Sequence, residues 1–230
     1  MGFMTDADRL ADLAALLADG TRAAFCLALL DGRAWTAGEL ARHAGVVAST
    51  ATEHLNRLVA GGLLAEHRQG RHRYLRLAGP QVASLIEELT AVAGPPVPVN
   101  GLRAAKVNEA MSRGRTCYDH LAGRLGVAIT DAMTAAGYLD QSSGFALTGA
   151  GSGWLTGTLG ATPKRGRVLA RSCVDWTERR PHLAGAAGAA ICERLMDSGW
   201  VVRIGTSRAV RPTEDGLVKL KDVLDLTFEP

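Results

Sequence analysis

The 230-residue sequence predicts an α+β protein, mainly α-helical with short β-hairpin wings, built as two domains. Three observations carry this. Between residues 36 and 77, two helical patterns separated by a glycine break are followed by two short, basic, strand-like runs. At 94–98, Gly94-Pro95-Pro96-Val97-Pro98 holds the chain extended and lets no helix cross. Beyond that linker the sequence repeats itself, so that a segment opening at His120 recurs at His182. The expected division is therefore 1–93, a linker at 94–98, and 99–230, with repeats at about 113–160 and 169–225.

In chain order, Thr5 to Ala18 reads as a helix with Leu10, Leu13, Leu16 and Leu17 on one side. Asp19-Gly20 ends it, and Thr21 starts a second helix through Phe25, Leu27 and Leu30, with Cys26 as a core thiol. Thr36 with Glu39 three residues on is a capping box for a third helix, which Gly45 stops. A fourth helix, from about Ala48 to Ala60, buries Ala51, Leu55, Leu58 and Val59. Its outward positions are Ser49, Thr50, Thr52, Glu53, Asn56 and Arg57. After Gly61-Gly62 come the runs Leu63 to Arg68 and Arg73 to Leu77, joined by Gln69-Gly70-Arg71-His72. Gly79-Pro80 then opens a helix carrying Val82, Leu85, Ile86 and Leu89.

A helix-turn-helix followed by a basic hairpin is a winged helix. Small hydroxyls, an amide and an arginine on the outer face of the second helix suit a major groove. Clustered cations on the hairpin suit phosphates or a minor groove. The candidate DNA contacts are Ser49, Thr50, Thr52, His54 and Arg57 on the helix, with Arg68, Arg71, His72 and Arg73 on the wing. Thr50 and Thr52 would meet base edges or methyls, and Arg57 a phosphate or guanine. His54 has an alternative, packing against the turn.

The run Ser49-Thr50-Ala51-Thr52-Glu53-His54-Leu55, with Leu58, Gly61-Gly62-Leu63-Leu64 and the Arg-rich wing, resembles the ArsR-type winged-helix repressors over residues 5 to about 93. The resemblance implies a homodimer joined through the first helix and the helix after the wing, presenting two recognition helices to a palindromic operator. Metal sensors of that family often carry Cys-x-Cys on the first helix of the helix-turn-helix. Here that helix reads Glu39-Leu40-Ala41-Arg42-His43. A second family site uses Asp, His and Glu pairs on the last dimer helix, where residues 81–93 offer Glu87 and Glu88 and no histidine. Neither set is present.

A formal net charge of +3 means that nucleic-acid binding must rest on a local patch, which the wing supplies. Four cysteines without a signal peptide point to free thiols in the cytoplasm, and no apolar run approaches a membrane span.

In the second domain, Arg115-Thr116-Cys117-Tyr118-Asp119 matches Arg171-Ser172-Cys173-Val174-Asp175, and Thr148-x-x-Gly151 matches Thr213-x-x-Gly216. Each copy reads as a capped helix, a strand, a turn, a strand and a closing helix, a winged-helix-like half without a basic face. The metal-ligand candidates are Cys117, His120, Cys173, Asp175 and His182, since thiolate with imidazole suits zinc or another soft ion. The cysteines could instead sense oxidants, with Arg115 and Arg171 lowering their pKa. In a third reading Asp175 caps the Trp176-Thr177-Glu178 turn and the cysteines fill gaps. Trp154, Trp176, Trp200, Tyr118 and Tyr138 would line an organic-effector pocket or simply the core.

No nucleophile elbow, phosphate loop or dinucleotide fingerprint occurs, so no enzyme is expected. The expected function is a dimeric transcriptional repressor, released by a signal sensed in the second domain. It needs no cofactor to bind DNA, and its effector would be a metal or a small molecule. The alternative is a tandem winged-helix assembly protein of replication or chromosome structure, with no effector.

Overall fold

A computed structural model describes residues 5–70, 72–94, 102–142, 144–205 and 207–229, the side chains of 102–105 excepted. The chain divides into two compact units, Met1–Ile86 and Glu87–Pro230.

The first unit opens with α1 (Asp6–Leu17), whose N-cap Thr5 forms a capping box with Asp8. No residue of α1 is fully buried. Helix α2 (Gly20–Leu29) starts one residue earlier than the sequence suggests, because Asp19 caps it by accepting from the Arg22 N–H at 2.9 Å. The buried Arg22 side chain donates to Leu16 O (2.6 Å) and Ala15 O (2.9 Å), satisfying carbonyls that the end of α1 leaves open. Strand β1 (Trp35–Thr36), helix α3 (Ala37–Ala44) and helix α4 (Ala48–Ala60) follow. Gly45 takes φ 68° between the two helices, a conformation costly for any residue with a Cβ.

Strands β2 (Leu64–Gln69) and β3 (His72–Leu77) form the wing, and the sheet order is β1-β3-β2. Strand β1 was not legible in the sequence, because two residues show no alternation. The wing strands also reach further than expected: Gln69 and His72 face each other in the ladder. Phe25, Leu29, Leu40, Leu55, Leu58 and Leu75 are fully buried between helices and sheet. Each contributes about 1.5–3 kcal/mol of apolar burial.

Helix α5 (Pro80–Ala93) contains the division between the units. The division falls before the prolines, and Glu87, which opens the second unit, is buried and pairs with Arg208 of the same unit at 2.8 Å. Residues 95–98 of the expected linker lie outside the described residues.

After α6 (Leu102–Arg113), the second unit runs twice through one order: hairpin, helix, hairpin, helix. The first pass is β4 (Arg115–Cys117), β5 (His120–Ala122), α7 (Gly123–Ala135), β6 (Leu139–Asp140), β7 (Ala146–Leu147) and α8 (Gly149–Gly153), continued by a π-helical turn over Trp154–Thr158. The second is β8 (Arg171–Val174), β9 (Pro181–Ala184), α9 (Gly185–Asp197), β10 (Val201–Arg203), β11 (Val210–Pro212) and α10 (Glu214–Leu224). The helix, strand, turn, strand and closing helix of each copy are in the expected order. The leading hairpin is the element that the sequence reading missed. The first helix of each copy is also not self-capped as expected: Ala122 and Ala184 stand at the N-caps without side-chain hydrogen bonds.

The two copies interlock. Helix α7 packs on β9 and α9 on β5. Thr130 Oγ1 accepts from Leu183 N–H at 2.9 Å, and Gly188 lies against His120 Cβ and Leu183 O. Trp154 stacks on Tyr138 at 5.2 Å and donates to Val223 O, so both aromatics belong to the core rather than to an effector pocket.

Candidate nucleic-acid interface and a buried thiol–imidazole cluster

Helix α4 turns Ala51, Leu55 and Leu58 inward, which leaves Ser49, Thr52, Glu53, Asn56 and Arg57 exposed and Thr50 half-buried. Thr52 Oγ1 donates to Ala48 O at 2.8 Å, and Arg57 Nη2 to Glu53 Oε1 at 2.7 Å. An exposed pair of this spacing is worth only about 0.3–0.5 kcal/mol, so Arg57 can exchange Glu53 for a phosphate at little cost. His54 does not share that face. Its Nδ1 lies 3.3 Å from Arg22 Nη1 and 3.6 Å from Asp19 Oδ1, tying α4 to the α1–α2 junction.

On the wing, Arg68 and His72 are exposed. Arg73 is mostly enclosed, donating to Glu66 Oε2 (2.7 Å) and Asn56 Oδ1 (2.9 Å), so that it braces the wing against α4. Arg71 lies outside the described residues. The ladder also places His67 and Arg76, both exposed, on the same face as His72, two positions the sequence reading passed over. Strand alternation could have found them.

In the second unit, the register of two hairpins sets Cys117 opposite His120 and Cys173 opposite His182. The spacing of Cys117 and His120 suggests a shared helix face, but a tight turn through Tyr118 (φ 59°) brings them together instead. The second hairpin keeps the register although its loop is longer. Like then meets like: Cys117 Sγ and Cys173 Sγ are 3.9 Å apart, and His120 Nε2 and His182 Nε2 are 3.1 Å apart with the rings stacked. All four ligand atoms lie within 4.8 Å of one another, and all four residues are buried.

The surroundings are asymmetric. His120 Nδ1 lies 3.3 Å from Asp119 Oδ1, and Arg167 Nη1 donates to Asp119 Oδ2 at 2.6 Å. His182 Nδ1 has no hydrogen-bond partner, and Asp175 Oδ2 is 4.0 Å away. Burial pushes the Cys117 thiol well above its ordinary range. A hydrogen bond from Cys117 holds Cys173 far below it, with His120 and His182 adding to the effect. Burial alone would lower the His120 pKa, but Asp119 and Cys173 outweigh it and raise the value. Cys26 and Cys192 are ordinary core thiols, each pushed up to about 12 by burial.

Asp175 stands outside the ligand set. Its Oδ1 accepts from Thr177 N, Thr177 Oγ1 and Glu178 N, as the capping reading expects. Its Oδ2 accepts from Arg115 Nη2 (2.9 Å), at the start of β4, and from Gly123 N (2.6 Å), the first residue of α7, both in the other copy. Arg115, fully buried, also lies over the Trp176 ring at 4.5 Å. No helix of the described residues is long and apolar enough to cross a membrane.

Residues 17–67 match the family description "Helix-turn-helix domain". The chain is 37% identical over 222 residues to the uncharacterized HTH-type transcriptional regulator YdfF of Bacillus subtilis, covering 94% of this chain and 97% of that one. It is 39% identical over 83 residues to the HTH-type transcriptional regulator CmtR of Mycobacterium tuberculosis, covering 36% and 70% respectively. Among solved structures, the homodimeric winged helix-turn-helix DNA-binding domain of Mb0332 from Mycobacterium bovis is 32% identical. That match covers 40% of this chain and 90% of that domain, with a TM-score of 0.36.

Proposed function

The chain belongs to the HTH-type transcriptional regulators, and from that footing we propose that it is a homodimeric repressor of an imperfect palindrome near its own promoter. Its DNA contacts are Ser49, Thr50, Thr52 and Arg57 on α4, with Arg68, Arg71 and His72 on the wing. The observation that carries this is the α4 surface: a row of short hydroxyls and one loosely held arginine, exposed beside a basic hairpin. Arg73 and His54 serve as braces that fix the wing and the helix in place. A signal acting on the second unit releases the repressor. The protein works in the cytoplasm and catalyses no reaction.

Binding to the upstream fragment and to a scrambled control, titrated over a range of salt, tests the reading. Arg68→Ala is expected to weaken both complexes and to lower the slope of log K against log salt by about 1. Thr52→Ala is expected to reduce discrimination between the two DNAs by about 1–3 kcal/mol while leaving the slope unchanged. Equal, weak binding to both fragments by the unaltered protein would sink operator reading and favour an assembly role.

A further inference from the structure

We propose that Cys117, His120, Cys173 and His182 form a tetrahedral binding site for one divalent zinc-class cation per chain, and that the ion clasps the two copies of the duplicated unit together. The site lies wholly in the second unit and does not depend on the DNA-binding reading.

Four arguments converge on it. The first is distance. In a tetrahedral site with Zn–S near 2.3 Å and Zn–N near 2.05 Å, sulfur ligands lie about 3.8 Å apart and nitrogen ligands about 3.3 Å apart. The observed separations are 3.9 Å for Cys117 Sγ and Cys173 Sγ, and 3.1 Å for the two Nε2 atoms. A disulfide would require the sulfurs to approach to about 2.05 Å, far inside the spacing seen.

The second is donor chemistry. Two thiolates and two neutral imidazoles form the soft S₂N₂ set that selects zinc and its relatives over magnesium or calcium. Two thiolate charges balance one divalent ion, so the filled site is neutral, as a buried site must be to avoid a large desolvation cost.

The third is the outer ring of partners. A metal-bound histidine usually donates its other N–H to a carboxylate. His120 Nδ1 has Asp119, itself held by Arg167. His182 Nδ1 is buried without a hydrogen-bond partner and lies 4.0 Å from Asp175 Oδ2. With both Nε2 lone pairs committed to an ion, His182 must carry its proton on Nδ1, and that orphaned atom becomes a donor facing a carboxylate.

The fourth is placement. Each copy supplies one Cys and one His from equivalent positions on its hairpin, so the ion would sit where the copies meet. Four buried protein ligands leave no open coordination position, which marks a structural ion rather than a catalytic one.

The test uses the full-length protein, reduced, stripped with chelator and titrated with Co²⁺. One equivalent per chain is expected to bind, with thiolate-to-cobalt charge-transfer absorption in the near ultraviolet and tetrahedral d–d bands in the visible. One equivalent of Zn²⁺ should displace it, and either ion should raise the unfolding temperature. Cys117→Ser and His182→Gln should each lose the tetrahedral bands. They should keep the circular dichroism and melting temperature of the stripped parent, which separates a lost ligand from a lost fold. Failure of the parent protein to bind one equivalent would overturn the proposal. So would an octahedral spectrum, or bands that survive in either variant.

Discussion

Asp175 accepts five hydrogen bonds while fully buried, and one of its partners, Arg115, is equally enclosed. Burial would raise this carboxyl, but Arg115, Thr177 and the backbone N–H groups of Glu178 and Gly123 outweigh it and hold the pKa well below the ordinary value of 3.8. A depressed folded-state pKa gives stability that is complete above the unfolded value and is lost as pH falls below it. Asp175→Asn is therefore expected to cost about 3–5 kcal/mol at neutral pH, because it strands the buried Arg115 charge. It should also flatten the acid limb of the stability curve below about pH 4. Urea unfolding at a series of pH values reads both effects, and an unchanged acid limb would mean that Asp175 is not the group responsible. The turn-capping role of this residue is legible in Asp175-Trp176-Thr177-Glu178. Its arginine is not, because Arg115 and Arg171 look alike in the repeat and only the fold buries one of them completely.

At the scale of elements, the recurring Thr-x-x-Gly is the feature that sequence and structure share most directly. Thr148 and Thr213 cap α8 and α10 and reach back to Gly137 O and Gly199 O, while their N–H groups donate to Tyr138 O and Trp200 O. Gly151 and Gly216 are required by close approach: an added Cβ would sit 2.0 Å from Tyr138 O and 1.9 Å from Trp200 O. Gly216→Ala should destabilise by about 3 kcal/mol in denaturant melts, since backbone must move to admit the methyl. Gly153→Ala, where nothing lies within 4 Å, should be neutral or stabilising by up to about 1 kcal/mol. Equal effects at the two sites would contradict the packing account. The leading hairpins escaped the sequence reading for a different reason. Strands of three or four residues show too little alternation to register. Helix α4 was legible almost to the residue because thirteen residues give its period room.

At the scale of the molecule, α1 is capped like a stable helix yet buries nothing completely, and Leu10 is 67% exposed. On α5, Val92 is 87% exposed. Apolar faces on these two helices are what a homodimer would cover. Leu10→Glu is expected to shift sedimentation from dimer toward monomer and to weaken operator binding at equal chain concentration; an unchanged dimer would place the interface elsewhere.

The interlocked second unit cannot be divided without loss to both halves. Since α7 packs on β9 of the other copy and α9 on β5 of the first, a chain cut between the copies would uncover both of these faces at once. Each fragment would also keep only one thiol and one imidazole of the buried set. The two copies are alike in order and unlike in detail. One hairpin tip is longer and holds the Asp175 turn, the other has two residues, and of the two equivalent arginines Arg115 is the fully buried one.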